Sequence, residues 1–431
     1  MSEIAAIGCG IDFGTSNSAV SVAYPDRVEV VRVETGGTPS LPSVAFLHRD
    51  GLRLAGVDAA ERYFAVAAER TSCADCSLVA YGFSDCRHYQ RDGGCADSRL
   101  VTGIKRDLGR MEGPVTHSWA VDFRVPDLAE AIMRGLRGPA GEHGGGAPFR
   151  CVVGHPVVFP AATDSASSAQ ELALSQLGEA ARQAGFEEVE FFPEPIAAVM
   201  DEHLDDGWVL SVDFGGGTYD VALIRVEAGE PEVRALGGVA IGGEQIDEAL
   251  FETRIAPAMG LDRLPNWLAN ELRSLAGARQ LLMDPRLPGV LDGIGTAASR
   301  VASRILYGGF VFSFYKRLEA AKISLSSQRE VRVEFHRQGV NLDLQVERGE
   351  LEGVCSPELD RVIEATRETL QRAGLDGSEV GRVLRTGGSS RMPAFIRRIA
   401  ELCPDARLEE RDAFTGVARG LGARARQLWQ G

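Results

Sequence analysis

Two aspartates 201 residues apart, Asp12 and Asp213, head two matching segments. Gly10-Ile11-Asp12-Phe13-Gly14-Thr15-Ser16-Asn17-Ser18-Ala19-Val20 echoes Ser211-Val212-Asp213-Phe214-Gly215-Gly216-Gly217-Thr218-Tyr219-Asp220-Val221. Each copy runs from an apolar stretch through an Asp and a Gly/Thr/Ser turn into alternating apolar residues, the pattern of a β-hairpin with a carboxylate at its entrance. Glycines after a strand let backbone N–H groups converge on a phosphate, because no Cβ blocks the approach. One such turn also serves any tight hairpin and says little alone. Two facing each other would grip a polyphosphate from both sides. Asp12 and Asp213 would then hold a hydrated Mg²⁺, and the Thr15, Ser16 and Thr218 hydroxyls would donate hydrogen bonds.

The basic residues sharpen this picture, since the chain has three lysines, Lys105, Lys316 and Lys322, against 43 arginines. Where Arg is the default, a Lys marks a place for a compact ammonium. Glu319, Lys322 and Ser326 stand at i, i+3 and i+7, so a helix presents them along one face. An isolated Glu/Lys pair at that spacing is otherwise a solvated ion pair. Lys316 is read as surface. Glu194 lies between Pro193 and Pro195, where no helix has begun, and projects from a strand end into a cleft or is an exposed loop acid. Cys73, Cys76, Cys86 and Cys95 crowd into 23 residues beside His88. They read as a structural Zn²⁺ site or as free thiols, with a redox pair third. Cys9, Cys151, Cys355 and Cys403 are scattered and read as small buried hydrophobes.

The supporting elements alternate between strand and helix. Strands are expected at Phe149 to Val153, Glu188 to Phe192, Val331 to Phe335 and Val380 to Leu384. Helices are expected at Ala169 to Ala184, Ile196 to His203, Asn266 to Met283, Phe310 to Ile323 and Glu358 to Ala373. Gly138 to Pro148 reads as a flexible connector. The 431 residues exceed one domain of roughly 150. A net charge of −15 argues against nucleic acid and anionic membranes as partners. No basic leader or long apolar run appears, and sparse cysteines suit a reducing compartment, so a cytoplasmic protein is expected. Rival phosphate sites fail individually. Gly-Lys, needed for a Walker A loop, is absent, as are the H-R-D and V-A-I-K motifs of protein kinases. Both glycine turns run into strands, unlike a dinucleotide fingerprint.

In order along the chain stand GIDFGTSNS, PEPIAAV at 193–199, VDFGGGTYDVALI at 212–224, IGGEQID at 241–247, LEAAKISLS at 318–326 and TGGSSRMP at 386–393. From Gly10 to about Gly422 the chain resembles the nucleotide-binding domain of the DnaK-type heat-shock chaperones, the heat shock protein 70 family. It is most similar to the short YegD-like members, within the wider actin and sugar-kinase fold. The resemblance implies an α/β fold of two ribonuclease-H-like lobes with a nucleotide cleft between them. On that basis the first lobe comprises 1–43 and 148–206, with an insertion at 44–147. The second comprises 207–246 and 329–408, with an insertion at 247–328, and 409–431 returns as a helix to the first lobe.

The same resemblance implies ATP or ADP with Mg²⁺ as ligands. Asp12 and Asp213 would hold the metal through water. Gly14, Thr15, Ser16, Asn17, Gly215, Gly216, Gly217 and Thr218 would meet the phosphates, and Gly242, Gly243 and Glu244 would close over them. Lys105, in GIKRDLG, would reach the γ-phosphate; Glu194 would sit beside the attacking water, and Asp220 would help orient Thr218 and that water. Glu319, Lys322 and Ser326 would meet the ribose and adenine, Arg391 would stack on the base beside Gly387, Gly388 and Ser389, and Asp412 completes the set. The implied function is a slow ATPase of chaperone type with a protein client. Because the sequence ends at Gly431, no C-terminal peptide clamp is expected. Pro156 matches the family's switch proline, but the arginine expected shortly after it is missing. A small-molecule kinase of the same superfold and an actin-like nucleotide-gated scaffold are the alternatives.

Overall fold

The computed structural model describes residues 5–33, 37–48, 51–59, 62, 98–110, 116–118, 121–146, 150–160, 166–200, 204–282, 284, 286–308, 310–337, 339–411 and 415–430. Both repeats are hairpins. Gly8–Asp12 pairs antiparallel with Asn17–Ala23, and Gly207–Phe214 with Tyr219–Glu227. Each hairpin sits in the middle of a mixed sheet, and the two sheets have the same order. In the first, Val28–Val30 flanks the hairpin on one side, while Arg150–His155 and then Glu188–Pro193 follow in parallel on the other. In the second, Glu230–Val239 flanks the hairpin, and Arg382–Thr386 and then Arg407–Glu410 run parallel. A parallel neighbour needs a crossover, here supplied by the helices Ala166–Gln183 and Pro393–Leu402. The duplication seen in sequence at the hairpins therefore extends to whole sheets.

Each sheet carries its own apolar core. Ile11, Val20, Val22 and Val153 pack with Leu128, Ile132 and Leu136 of the helix Val125–His143. Phe214, Tyr219 and Val221 pack with Phe395 and with a helical region running from Gly243 to Leu325. A three-stranded sheet of Arg53–Ala55, Val44–His48 and Ser98–Thr102 delivers the chain to the one-turn helix Ile104–Asp107, which carries Lys105.

The C-terminal helix Gly416–Trp429 lies on the first hairpin. Ser21 Oγ donates to Ala418 O at 2.5 Å, and a Cβ on Gly420 would overlap Ala197 O. With backbone against backbone, the clash cannot be relieved by a side-chain rotation. Gly420→Ala is therefore expected to destabilise the protein by about 2 kcal/mol, read as a lower urea midpoint; an unchanged midpoint would mean that this contact is loose.

Two expectations are corrected. Gly138 to His143 is the last part of the helix Val125–His143, with Pro139 inside it, rather than a connector. The buried stripe Leu128, Ala129, Ile132, Met133, Leu136, Ala140 continues across the proline, and its burial outweighs the helix-breaking cost of about 3 kcal/mol. The expected helix from Asn266 to Met283 is two, Asn266–Leu272 and Leu275–Leu282, because Ser274 Oγ accepts the Gly277 N–H at 3.1 Å and starts a new helix. Among the described residues no helix is long and apolar enough to cross a membrane.

Candidate functional site

The two hairpin turns meet at the floor of a cleft of about 620 Å³. A Cβ on Gly216 would stand 2.9 Å from Ser16 Oγ, and one on Gly217 would stand 3.0 Å from Thr15 Oγ1. The bare backbone of the second turn thus packs against the Thr15 and Ser16 side chains of the first, and a side chain at Gly216 or Gly217 would crowd them. Asp12, Gly14, Thr15, Ser16 and Asn17 line the cleft from the first turn, and Asp213, Gly215, Gly216 and Thr218 from the second. Gly217, Asp220, Gly242 and Gly243 stand behind this lining. Gly243 N–H donates to Gly215 O at 3.0 Å and Glu244 N–H to Gly216 O at 2.8 Å, so this stretch braces the second turn.

Lys105 enters from Ile104–Asp107 and donates from Nζ to Glu194 Oε1 at 2.6 Å, with both side chains about 5% exposed or less. Glu194 is the first residue of the helix Glu194–Ala197, capped by Pro193, with Pro195 in the first turn. The expectation that no helix begins there is thus corrected: proline's missing N–H costs nothing in a first turn, where that group has no helical partner. Asp220 pairs across the strands with Asp213, and its Oδ1 accepts the Val157 N–H at 2.5 Å, next to Pro156. Its Oδ2 is buried and, among the described residues, meets no hydrogen-bond partner within ordinary distance.

The floor of the cleft is short of positive charge. Burial, then the Glu194 charge and, with Lys105 opposing, that of Asp213, push Asp12 up to about 8. Burial and Glu194 push Asp213 up to about 6 and hold Asp220 well above its ordinary value. Burial alone would depress Lys105, but the charges of Glu194 and Asp12, the Glu194 hydrogen bond and Asp220 raise it. A divalent cation fits here, since it would relieve carboxylates that Lys105 balances only in part. Among the described residues no group of three or more His, Cys, Asp or Glu is placed to hold a metal directly.

On the opposite wall, the helix Val311–Leu325 presents Glu319 and Lys322, with Ser326 just beyond its end. Lys322 Nζ donates to Asp247 Oδ2 at 2.7 Å and to Gly243 O at 2.9 Å. Lys316 is at the surface as expected, its side chain 41% exposed, and it also lines this wall, bonding Glu319 Oε2 at 2.6 Å. Gly387 has φ 80° and faces Phe214 O, a position that excludes a side chain. Gly388, Ser389 and Arg391 follow along the cleft; Ser389 Oγ donates to Gly215 O at 2.9 Å, and Arg391 Nε donates to Glu410 Oε1 at 2.7 Å. Glu244, pushed up to about 7 by burial against the pull of Arg106, pairs with Arg106 at 2.5 Å.

Sequence reasoning missed Arg106, Asp247, Glu248, Arg273 and Glu410 on these walls. Asp247 was within reach, one turn from Gly243 in IGGEQID, and the scarcity of lysine applied to Lys316 as much as to the other two. Asp412 and the cysteines Cys73, Cys76, Cys86 and Cys95 lie outside the described residues. Cys9, Cys151, Cys355 and Cys403 are buried free thiols.

The model of a family described as Hsp70 protein matches residues 8–259 and 313–425. The chain belongs to the Hsp70 family. Its mixed α/β architecture is the actin-like ATPase fold of that family, whose members bind ATP or ADP with Mg²⁺. Among curated relatives, the Chaperone protein HscA homologs of two Acidithiobacillus ferrooxidans strains are each 27% identical over 434 residues, covering 98% of this chain. The chain spans 58% of the length of these Hsp70-type relatives.

Proposed function

We propose that this Hsp70-family chain binds ATP and ADP with Mg²⁺ in the cleft and hydrolyses ATP slowly, as the nucleotide-dependent part of a chaperone-type activity on a protein client. The observation that carries the reading is the floor of the cleft, where two glycine turns abut and Asp12, Asp213, Glu194 and Asp220 surround Lys105. Asp12 and Asp213 would hold the metal through water. Bound Mg²⁺ would neutralise phosphate charge that the acidic floor otherwise repels. The turn N–H groups and the Thr15, Ser16 and Thr218 hydroxyls would donate to phosphate oxygens. Lys105 now donates a hydrogen bond from its ammonium to Glu194; turned to a terminal phosphate, it would free the Glu194 carboxylate to accept a hydrogen bond from water and orient it. Asp220, fixed by Val157, would hold Thr218 in place. This scheme uses no covalent intermediate, which suits slow turnover resting on positioning and charge.

Calorimetry tests the reading: Mg·ATP and Mg·ADP are expected to bind tightly, and GTP about tenfold or more weakly, since Ser326 and Arg391 would face the base. Equal affinity for GTP would remove the base assignment, and no binding of either nucleotide would remove the function. Phosphate release without an added acceptor supports the ATPase. Release only with a sugar would favour the kinase, and ATP-dependent light scattering the scaffold.

A further inference from the structure

We propose that Lys316 makes the cleft selective for ribonucleotides, by holding Glu319 as a fixed acceptor for the sugar hydroxyls. This rests on the nucleotide reading above and goes beyond it in naming a positioning residue and the part of the ligand it governs. All three lysines of a chain with 43 arginines line this one cleft, and each bonds a carboxylate: Lys105 to Glu194, Lys316 to Glu319, Lys322 to Asp247. Among the described residues the other i,i+3 ion pairs, Arg110–Asp107, Arg124–Asp127 and Arg367–Glu364, use Arg. Lys316–Glu319 has the same spacing, faces the cleft and uses Lys.

The difference has a chemical consequence. A guanidinium is a planar fork that takes both oxygens of a carboxylate, whereas an ammonium is a point donor. Lys316 Nζ bonds Oε2 of Glu319 at 2.6 Å, and no other hydrogen bond to Glu319 is made among the described residues. Oε1 is thus left for a ligand. A carboxylate oxygen with nothing to donate recognises a pair of donors, as the vicinal hydroxyls of ribose are, and it repels a phosphate placed on that sugar. Charge keeps Glu319 in this state: burial would raise its pKa, but Lys316 and then Lys322, on the same helix, bring it below the ordinary carboxylate range. From the facing helix Gly243–Leu250, Asp247 opposes them but is itself paired with Lys322.

The test compares the affinities of Mg·ADP, Mg·2′-deoxy-ADP and Mg·3′-deoxy-ADP by calorimetry from pH 5 to 8. Wild type is expected to prefer ADP over the weaker-binding deoxy analogue by about tenfold or more at every pH, the worth of one hydrogen bond to a charged group. Lys316→Gln should show a smaller preference at pH 5 than at pH 8, because the largest charge that keeps Glu319 ionised against burial is gone. Lys316→Arg should show a smaller preference that does not change with pH, because the charge remains while the fork covers Oε1. Glu319→Gln should lose the preference throughout. The inference is overturned if both Lys316 variants keep the wild-type preference across the range, or if they weaken ADP and its deoxy analogues equally. Wild type that binds no Mg·ADP would instead remove the nucleotide reading, and this inference with it.

Discussion

Replacing Lys105 by Met is expected to slow single-turnover ATP hydrolysis by about a hundredfold or more, while ADP affinity in saturating Mg²⁺ changes by less than about threefold. The ammonium is assigned to the terminal phosphate, which ADP lacks, so its loss falls on the transition state. A second effect follows from burial. Lys105 and Glu194 are 5% and 4% exposed, and removing one partner leaves an uncompensated carboxylate at a cost of about 3–5 kcal/mol. The melting temperature without nucleotide should therefore fall. The double variant Lys105→Met/Glu194→Gln removes the orphaned charge and should recover most of the stability but none of the turnover. Wild-type turnover in Lys105→Met, or in the double variant, would show that the pair serves structure alone.

Metal-free protein should become less stable as pH rises from about 6 to 8, and Mg²⁺ should reverse this. Burial is the first cause in each group concerned: Asp213 and Asp247 are pushed up to about 6, Glu244 to about 7 and Asp12 to about 8. The folded state then holds protons that the unfolded chain has released. Stability from these groups is complete below about pH 4 and is lost as pH climbs through each raised value. His155, lowered by burial, acts with the opposite sign, but only as pH falls below its ordinary value of 6.5. Binding of a cation to the ionised aspartates must release protons, so Mg·ADP affinity should increase from pH 6 to 8. Calorimetry in buffers of different ionisation enthalpy would count the protons. Asp12→Asn should flatten the stability profile above pH 6.5 and reduce the Mg²⁺ dependence of nucleotide affinity by about tenfold or more. No proton release, or an undiminished Mg²⁺ dependence in Asp12→Asn, would move the metal away from Asp12.

The two hairpins and the carboxylates at their entrances are legible in the chain, because strand alternation, a glycine turn and an Asp beside it are local patterns within about ten residues. That Glu319, Lys322 and Ser326 share a face is equally legible, since helical spacing alone does this. What these pieces meet depends on long-range packing. Lys105 bonds Glu194 across 89 residues of chain, and Lys322 bonds Asp247 across 75, separations over which no periodicity carries information. The parallel strands Arg150–His155 and Arg382–Thr386 occupy equivalent places in the two sheets without a readable echo, because their duty is burial, which many apolar residues perform equally. The same burial carries a helix through Pro139 against its local preference. Lys316 shows the division most directly: its rarity is written in the sequence, but only packing turns the helix Val311–Leu325 so that this half-exposed side chain also lines the cleft.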